Sequence, residues 1–268
     1  MLKVENIETY GWEAAIRGMR NPMNSWEKSD TEFIDDPGEG HDILGNYFPC
    51  IYEGNFPGNI SLGENDQKLM ESLVKGGPVH AKFRRMINIT MDITAPLYWW
   101  KEFDTYKVGT VANSCSTMHK IQSKEFTVDD FSCEHLIDGK DIEAFEGFPA
   151  VTVNGNVCFY SPKYFISIMM CDMLNHYRKL FLTTNDKKYW WQMIQLLPSS
   201  YNQKRTVQMN YEVAAHIYPD RKDHKLDEWH VLCDKFKKLP YSWLITGEEN
   251  RFEAKVIHPG DDKEADIL

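Results

Sequence analysis

Apolar and polar positions follow two different periods along the chain, and the switches between them mark its elements. From Met86 to Ile93, apolar Ile87, Ile89, Met91 and Ile93 alternate with polar Asn88, Thr90 and Asp92. That period of two predicts a strand with one buried face. Ala95-Pro96 then opens a predicted helix, with proline tolerated in its first turn and Leu97, Trp100 and Phe103, joined by Trp99 and Tyr106, as its apolar stripe. Nearer the start, Ala14, Ala15, Ile16 and Met19 predict a short helix between Gly11 and Pro22, ending before Asn21-Pro22 because a residue preceding proline avoids the helical region. Arg17 and Arg20 stand together on it. Asn65 or Asp66 is placed to cap a helix over residues 67–75, whose apolar face is Leu69, Met70, Leu73 and Val74. Gly76-Gly77-Pro78 stops that helix.

Residues 165–182 predict a long buried helix, with Ile166, Met169, Met170, Met173, Tyr177 and Leu180 on one broad face and its methionines read as packing. Further helices are predicted over 189–197, stopped by Pro198; over 206–218, broken at Pro219; and over 227–238, stopped by Pro240. The charged tail from Glu248 is predicted to fray. Residues 1–60 mix turn signals with short apolar stretches. Residues 120–162 read as an insertion, acidic and rich in turns, closing in a strand or hairpin over 151–160 with Asn154-Gly155 as its turn. The stretch from Val108 to His119 is small and hydroxyl-rich, either a plain surface loop or a loop that wraps a ligand. Helices predominate in this mixture of α and β.

Composition narrows the function classes. At 268 residues the chain makes one large domain or two small ones, and 42% hydrophobic with 26% charged residues is the balance of a globular protein. Acidic residues outnumber basic ones, 40 to 30, for a net charge of −10. That argues against tracking a nucleic-acid backbone, whose affinity comes largely from displaced counterions. A pocket for one small phosphate remains compatible, because local charge can oppose net charge. No apolar run reaches the roughly 20 residues of a membrane span, and an opening with Glu5, Glu8 and Glu13 is no signal peptide. Six scattered cysteines without a CxxC pair read as free thiols in a reducing cytoplasm. GxGxxG, GxxxxGK[ST] and GxSxG are absent. Neither Cys133-Glu-His135 nor His224 with His230 has the spacing of a tight metal set.

What remains is a set of pieces in a fixed order. His80 precedes the strand, Thr94-Ala-Pro-Leu-Tyr ends it, and the helix leads into the polar loop from Thr105 to Ser116. Leu197-Pro198, Asn210 and Arg221 follow, the last two eleven residues apart. This order resembles the flavin-dependent thymidylate synthases, over roughly residues 66–119 and 189–243. Their signature, RHRxxSxNExSxRY, is degenerate here. Thr105-Tyr106-Lys107 takes the RHR place and Thr110 the first serine, while Asn113 takes the glutamate, Cys115 the second serine and Thr117-Met118 the final Arg-Tyr. Lys107 alone keeps a positive charge, as a point charge without the planar fork of arginine.

The resemblance implies an α+β fold, a twisted sheet flanked by helices in a single domain, and a homotetramer with active sites between subunits. It implies FAD as cofactor, methylenetetrahydrofolate and NADPH as co-substrates, and methylation of dUMP at C5 to give dTMP. His80, Lys82, Tyr106, Lys107, Asn113, Asn210, His216 and His224 would then contact FAD. Glu102, Thr105, Ser114, Cys115, Ser116 and Arg221 would contact the nucleotide, with Arg221 as the catalytic group that favours ionisation of the ring at N3. Arg17 and Arg20 are candidates for the phosphate charge that the lost signature arginines no longer supply. Two alternatives stay open: another C5 modification such as hydroxymethylation of a pyrimidine deoxynucleotide, and a non-catalytic flavin- or nucleotide-binding relative. Cys115 is either a small core residue or a nucleophilic thiolate. Asn210 has an exposed helix position, and Arg221 a surface pairing with Asp220 or Asp223, as their plain readings.

Overall fold

The alternation around Ile89 becomes the centre of the molecule. In the computed structural model, residues 2–33, 60–138 and 161–248 are described, with the backbone of short strands at Gly40–His41, Tyr47–Phe48, Val151–Val153 and Asn156–Cys158. Strands β1 (Lys3–Tyr10), β2 (Asn88–Pro96), β3 (Val111–Ser114) and β4 (Asn202–Asn210) form one sheet in the order β1-β2-β4-β3, every neighbouring pair antiparallel. Ile89, Met91, Ile93 and Ala95 of β2 and Val207 and Met209 of β4 are buried on one face. Asn88, Thr90, Asp92, Thr206 and Gln208 lie on the other, which stays polar and accessible.

Helices cover the apolar face: α1 (Trp12–Arg20), α2 (Glu64–Lys75), α3 (Leu97–Phe103), α7 (Tyr211–Arg221), α8 (Asp227–Lys237) and α9 (Trp243–Thr246). A second apolar cluster joins Ile121, Phe126, Phe131 and Cys133 to Met170, Cys171, Leu174 and Met193. It is built on α5 (Cys171–Thr184) and α6 (Lys187–Leu196), preceded by the short α4 (Thr117–Lys120). The α+β class is as the sequence indicates.

Several expectations are corrected. Residues 206–218 are not one helix: β4 runs to Asn210 and α7 begins at Tyr211. The exposed-buried alternation of Thr206, Val207, Gln208 and Met209 is a strand period, and nine-residue pairing with β2 fixes it. Pro219 lies inside the last turn of α7 rather than ending it. β1 was hidden in the turn-rich opening, because a bulge between Glu5 and Glu8, with Asn6 at φ 51°, breaks its alternation. Val4 and Thr9 are thus both buried although five positions apart. The loop 108–119 contains β3 and all but the last residue of α4.

In α2 neither Asn65 nor Asp66 is the cap. The carboxylate of Asp30 accepts from the backbone N–H groups of both, at 2.9 and 3.1 Å, a cap supplied from outside the segment. The long helix is π-helical over Phe165–Met170 before α5 begins. Wider turns shift the stripe, so Met169 and Met173 are exposed while Met170, Cys171 and Leu174 are buried. Strands Val151–Val153 and Asn156–Cys158 pair as the expected hairpin, whose turn residues, like the tail beyond Glu248, lie outside the described residues. Among the described residues, no helix is long and apolar enough to cross a membrane and no cluster is suited to a metal ion.

Candidate active site

Three aromatic residues and two acids build the most organised polar cluster. α3 ends in Glu102 and Asp104, acids at the end of a helix where the dipole favours cations, and each holds an arginine. The Arg221 Nη1 donates to Glu102 Oε2 at 2.7 Å and Nε donates to Tyr106 Oη at 2.8 Å. Its guanidinium carbon sits 4.5 Å from the centre of the Trp229 ring, a cation–π contact. Trp229 Nε1 also donates to Glu102 Oε2, at 3.1 Å, and His224 Nε2 lies 3.5 Å from the same oxygen. His224 Nδ1 accepts the backbone N–H of Leu226. Arg221 therefore pairs neither with Asp220 nor with Asp223. Its side chain keeps 17% of its exposure, and the fixed fork faces the end of α3.

Asp104 holds the second arginine. Arg205 Nη1 donates to it at 2.7 Å, its guanidinium lies 4.1 Å from the Trp100 ring centre, and its Nε donates to Gln203 Oε1. Gln203 Nε2 in turn donates to the Cys115 carbonyl and Thr117 Oγ1, both at 3.0 Å. Gln203, Cys115 and Thr117 form part of the wall of a cleft of about 340 Å³, lined also by Ser116, Lys120, Lys124, Tyr201 and Lys204. Cys115 is exposed in it, so the core reading of this thiol is wrong. Ser116 Oγ accepts the His119 N–H and starts α4. Lys204 pairs with Asp92 at 3.0 Å and Lys124 with Asp130, whereas Lys120 has no ion pair among the described residues.

Asn210 stands at the junction of β4 and α7, half-buried. Its Oδ1 accepts the Val213 N–H at 3.0 Å and so caps α7. Gly109 approaches it at φ 80°, where an added Cβ would lie 3.0 Å from Val213 Cγ2 and 3.4 Å from Asn210 Nδ2. A side chain there would be strained, which fixes how closely the loop packs on the junction. The neighbouring Thr110 hydroxyl is buried and has no partner among the described residues. His216 lies 3.5 Å from Glu212, which binds Arg84 at 2.7 Å, in the same turn as exposed Lys82 and just beyond exposed His80.

The sequence candidates thus separate into groups. Glu102, Tyr106, Arg221 and His224 come together, and Thr105 adjoins them through its bond to the Glu102 carbonyl. Ser114, Cys115 and Ser116 run along the end of β3, while Asn113 points away onto the polar face opposite Thr206. Arg17 and Arg20 do not form a common cationic face. Arg17 is exposed and pairs with Glu13, whereas Arg20 is 4% exposed and engaged by Asp66 at 2.6 Å and by the carbonyls of Ser25 and Lys28. Lys107 is exposed and has no ion pair among the described residues. The spacing of motifs in the sequence does not point to Trp229, Gln203, Lys204 or Lys120. The alternation through Val207 and Met209 was the signal that could have placed Gln203 and Lys204; Trp229 looks like any other core aromatic.

Comparison with known proteins gives the architecture its counterpart. A crystal structure of thymidylate synthase X (ThyX) from Helicobacter pylori with FAD and dUMP is similar at a TM-score of 0.54 and 16% identity, over 92% of this chain and 98% of that one. A second structure, of the flavin-dependent thymidylate synthase ThyX from the same organism with FAD and dUMP, gives 0.53 at the same identity and coverage. The fold is ThyX-like. No family model and no curated protein matches the chain. The ThyX-like fold thus rests on shape, with the Arg221 cluster and the Cys115 cleft at opposite stretches of the loop and strand that follow α3.

Proposed function

We propose that the chain is a FAD-dependent enzyme that transfers a one-carbon unit to C5 of a pyrimidine deoxynucleotide, with dUMP to dTMP as the reference reaction. Methylenetetrahydrofolate is the carbon donor and NADPH the reductant in this reading. The observation that carries it is Arg221, a largely shielded guanidinium oriented by Tyr106, Glu102 and Trp229 on a ThyX-like fold. C5 attacks an electrophilic carbon only when the ring is electron-rich, and a fixed guanidinium beside N3 favours loss of the N3 proton, which raises that density without a covalent bond to the enzyme. Cys115, in the other group of residues, is not required for this step.

The residues present fit a flavin. Among the described residues, the buried Thr110 hydroxyl has no partner and Asn210 bonds only through its oxygen, leaving an amide donor beside the Gly109 loop. His80, Lys82, Lys107 and His216 add exposed groups suited to its phosphates. When bound, FAD supplies the two-electron redox capacity that reduces the transferred carbon. The chain's own part is to seat the nucleotide, keep the guanidinium fixed and limit water at the ring. A homotetramer with sites between subunits, in the cytoplasm, belongs to the same reading.

The deciding experiment has two readouts. The purified protein should show the visible absorption band of oxidised flavin, alone or after titration with FAD. Mass spectrometry of dUMP incubated with NADPH, FAD and methylenetetrahydrofolate should show a one-carbon product. A protein that binds no FAD overturns the reading.

A further inference from the structure

We propose that the Glu102–Arg221 pair selects a cytosine ring, so that the nucleotide accepted here carries an exocyclic amine at C4. The assignment rests on the C5-transfer reading above and names the base it acts on. Glu102 Oε2 receives Arg221 Nη1 and Trp229 Nε1, with His224 close by, whereas Oε1 has no hydrogen bond among the described residues. Arg221 Nε is engaged by Tyr106, and Nη2 has no bond among the described residues. One free acceptor and one free donor group therefore remain, each sharing its carbon with an atom of the 2.7 Å contact. The Glu102 side chain is 36% exposed, so the carboxylate is not sealed within the fold.

The pyrimidine edge decides which base suits this pair. Ionised uracil presents O2, N3 and O4, three acceptors in a row. If Arg221 donates to N3, the carboxylate beside it meets a carbonyl oxygen on either flank, acceptor against acceptor. Neutral uracil can satisfy both groups only by giving its N3–H to Glu102. That holds in place the proton whose loss would enrich the ring, and a carboxylate next to N3 opposes the second negative charge. Cytosine matches without ionising: N3 accepts from Nη2 while the N4 amine donates to Oε1. Cytosine has no N3 proton to lose, so on this base Arg221 orients the ring and the activation comes from the carboxylate, which accepts from the amine and pushes its lone pair toward the ring and C5. Carboxylate side chains accept from cytosine N4 in the same way in base-edge recognition.

Calorimetric titration of the full-length, FAD-supplemented protein with dCMP and with dUMP tests this. The expected result is at least roughly tenfold tighter binding of dCMP, the scale of one matched bidentate pair. Glu102→Gln, whose amide can donate to O4, should reverse or erase the preference. If that variant does not fold, the wild type with a pyrimidin-2-one deoxyribonucleotide, which lacks the C4 amine, decides alone: it should bind at least roughly tenfold more weakly than dCMP. An analogue bound as tightly as dCMP overturns the assignment. Wild-type binding of dUMP as tight as or tighter than dCMP overturns the selection and leaves the C5-transfer reading standing; binding of neither nucleotide overturns both.

Discussion

Arg20 and Arg221 are both arginines near the end of a helix, yet their surroundings give them opposite tasks. Arg20 is enclosed with Asp66, which is fully buried and also accepts from the hydroxyls of Ser29 and Thr31. Burial alone would push the Asp66 carboxyl up; the hydrogen bonds from Ser29 and Thr31, and then Arg20, outweigh it and hold it below its ordinary value. Removing the cation leaves a buried carboxylate without its counter-charge. Arg20→Ala should therefore cost about 3–5 kcal/mol in urea unfolding, with the nucleotide affinity of the remaining folded protein unchanged. Arg221 is different because its fork is only partly enclosed. Arg221→Ala should lower turnover by on the order of 10²–10³ while flavin stays bound, the loss seen when one preorganised donor is removed. Arg221→Lys should not restore it, since an ammonium cannot bond Glu102 and Tyr106 as a planar fork does. Cys115→Ser should be tolerated. Full steady-state activity in Arg221→Ala would sink the role given to this residue.

The junction of β4 and α7 combines a structural and a binding task in one side chain, and the two can be separated. Asn210 caps the helix through Oδ1, and its amide has no partner among the described residues. Asn210→Ala should cost about 1 kcal/mol in thermal or urea unfolding and also weaken FAD retention. Asn210→Asp keeps a capping oxygen but removes the donor, so stability should stay near wild type while FAD binding, followed by titration, falls. Equal FAD affinity in wild type and Asn210→Asp would show that the amide only caps. The same junction shows what was legible in the sequence. β2 was readable because its alternation is unbroken, and α8 because its apolar stripe ends near Pro240. β4 was not, since four alternating residues beside a helical stretch fit either period until pairing with β2 decides. The site was readable only as spacing. Arg221 meets Tyr106 and Glu102 across 115 and 119 positions of chain, and no local pattern encodes a contact of that range.

Across the whole molecule, the open face of the sheet is held by one carboxylate that reaches three strands. Asp92 of β2 accepts from Thr206 Oγ1 of β4 at 2.7 Å and from Asn6 Nδ2 in the bulge of β1 at 2.9 Å, and pairs with Lys204 of β4 at 3.0 Å. The Thr206 hydroxyl, then Asn6 and Lys204, hold its carboxyl down to about 2. An unfolded aspartate titrates near roughly 3.9, so the folded state binds the proton less readily than the unfolded chain. The stabilising contribution is complete above the unfolded value and is lost as pH falls through the folded one. Stability should thus decline between about pH 4 and pH 2, beyond any general effect of discharging the other acids. Asp92→Asn removes the titrating group while keeping a side chain that can accept from Thr206. The urea midpoint of that variant, followed over the same window, should be lower than wild type at neutral pH and should converge toward it in acid. Parallel profiles for the two proteins, with a constant gap down to the lowest pH, would show that Asp92 does not tie the strands together through its charge.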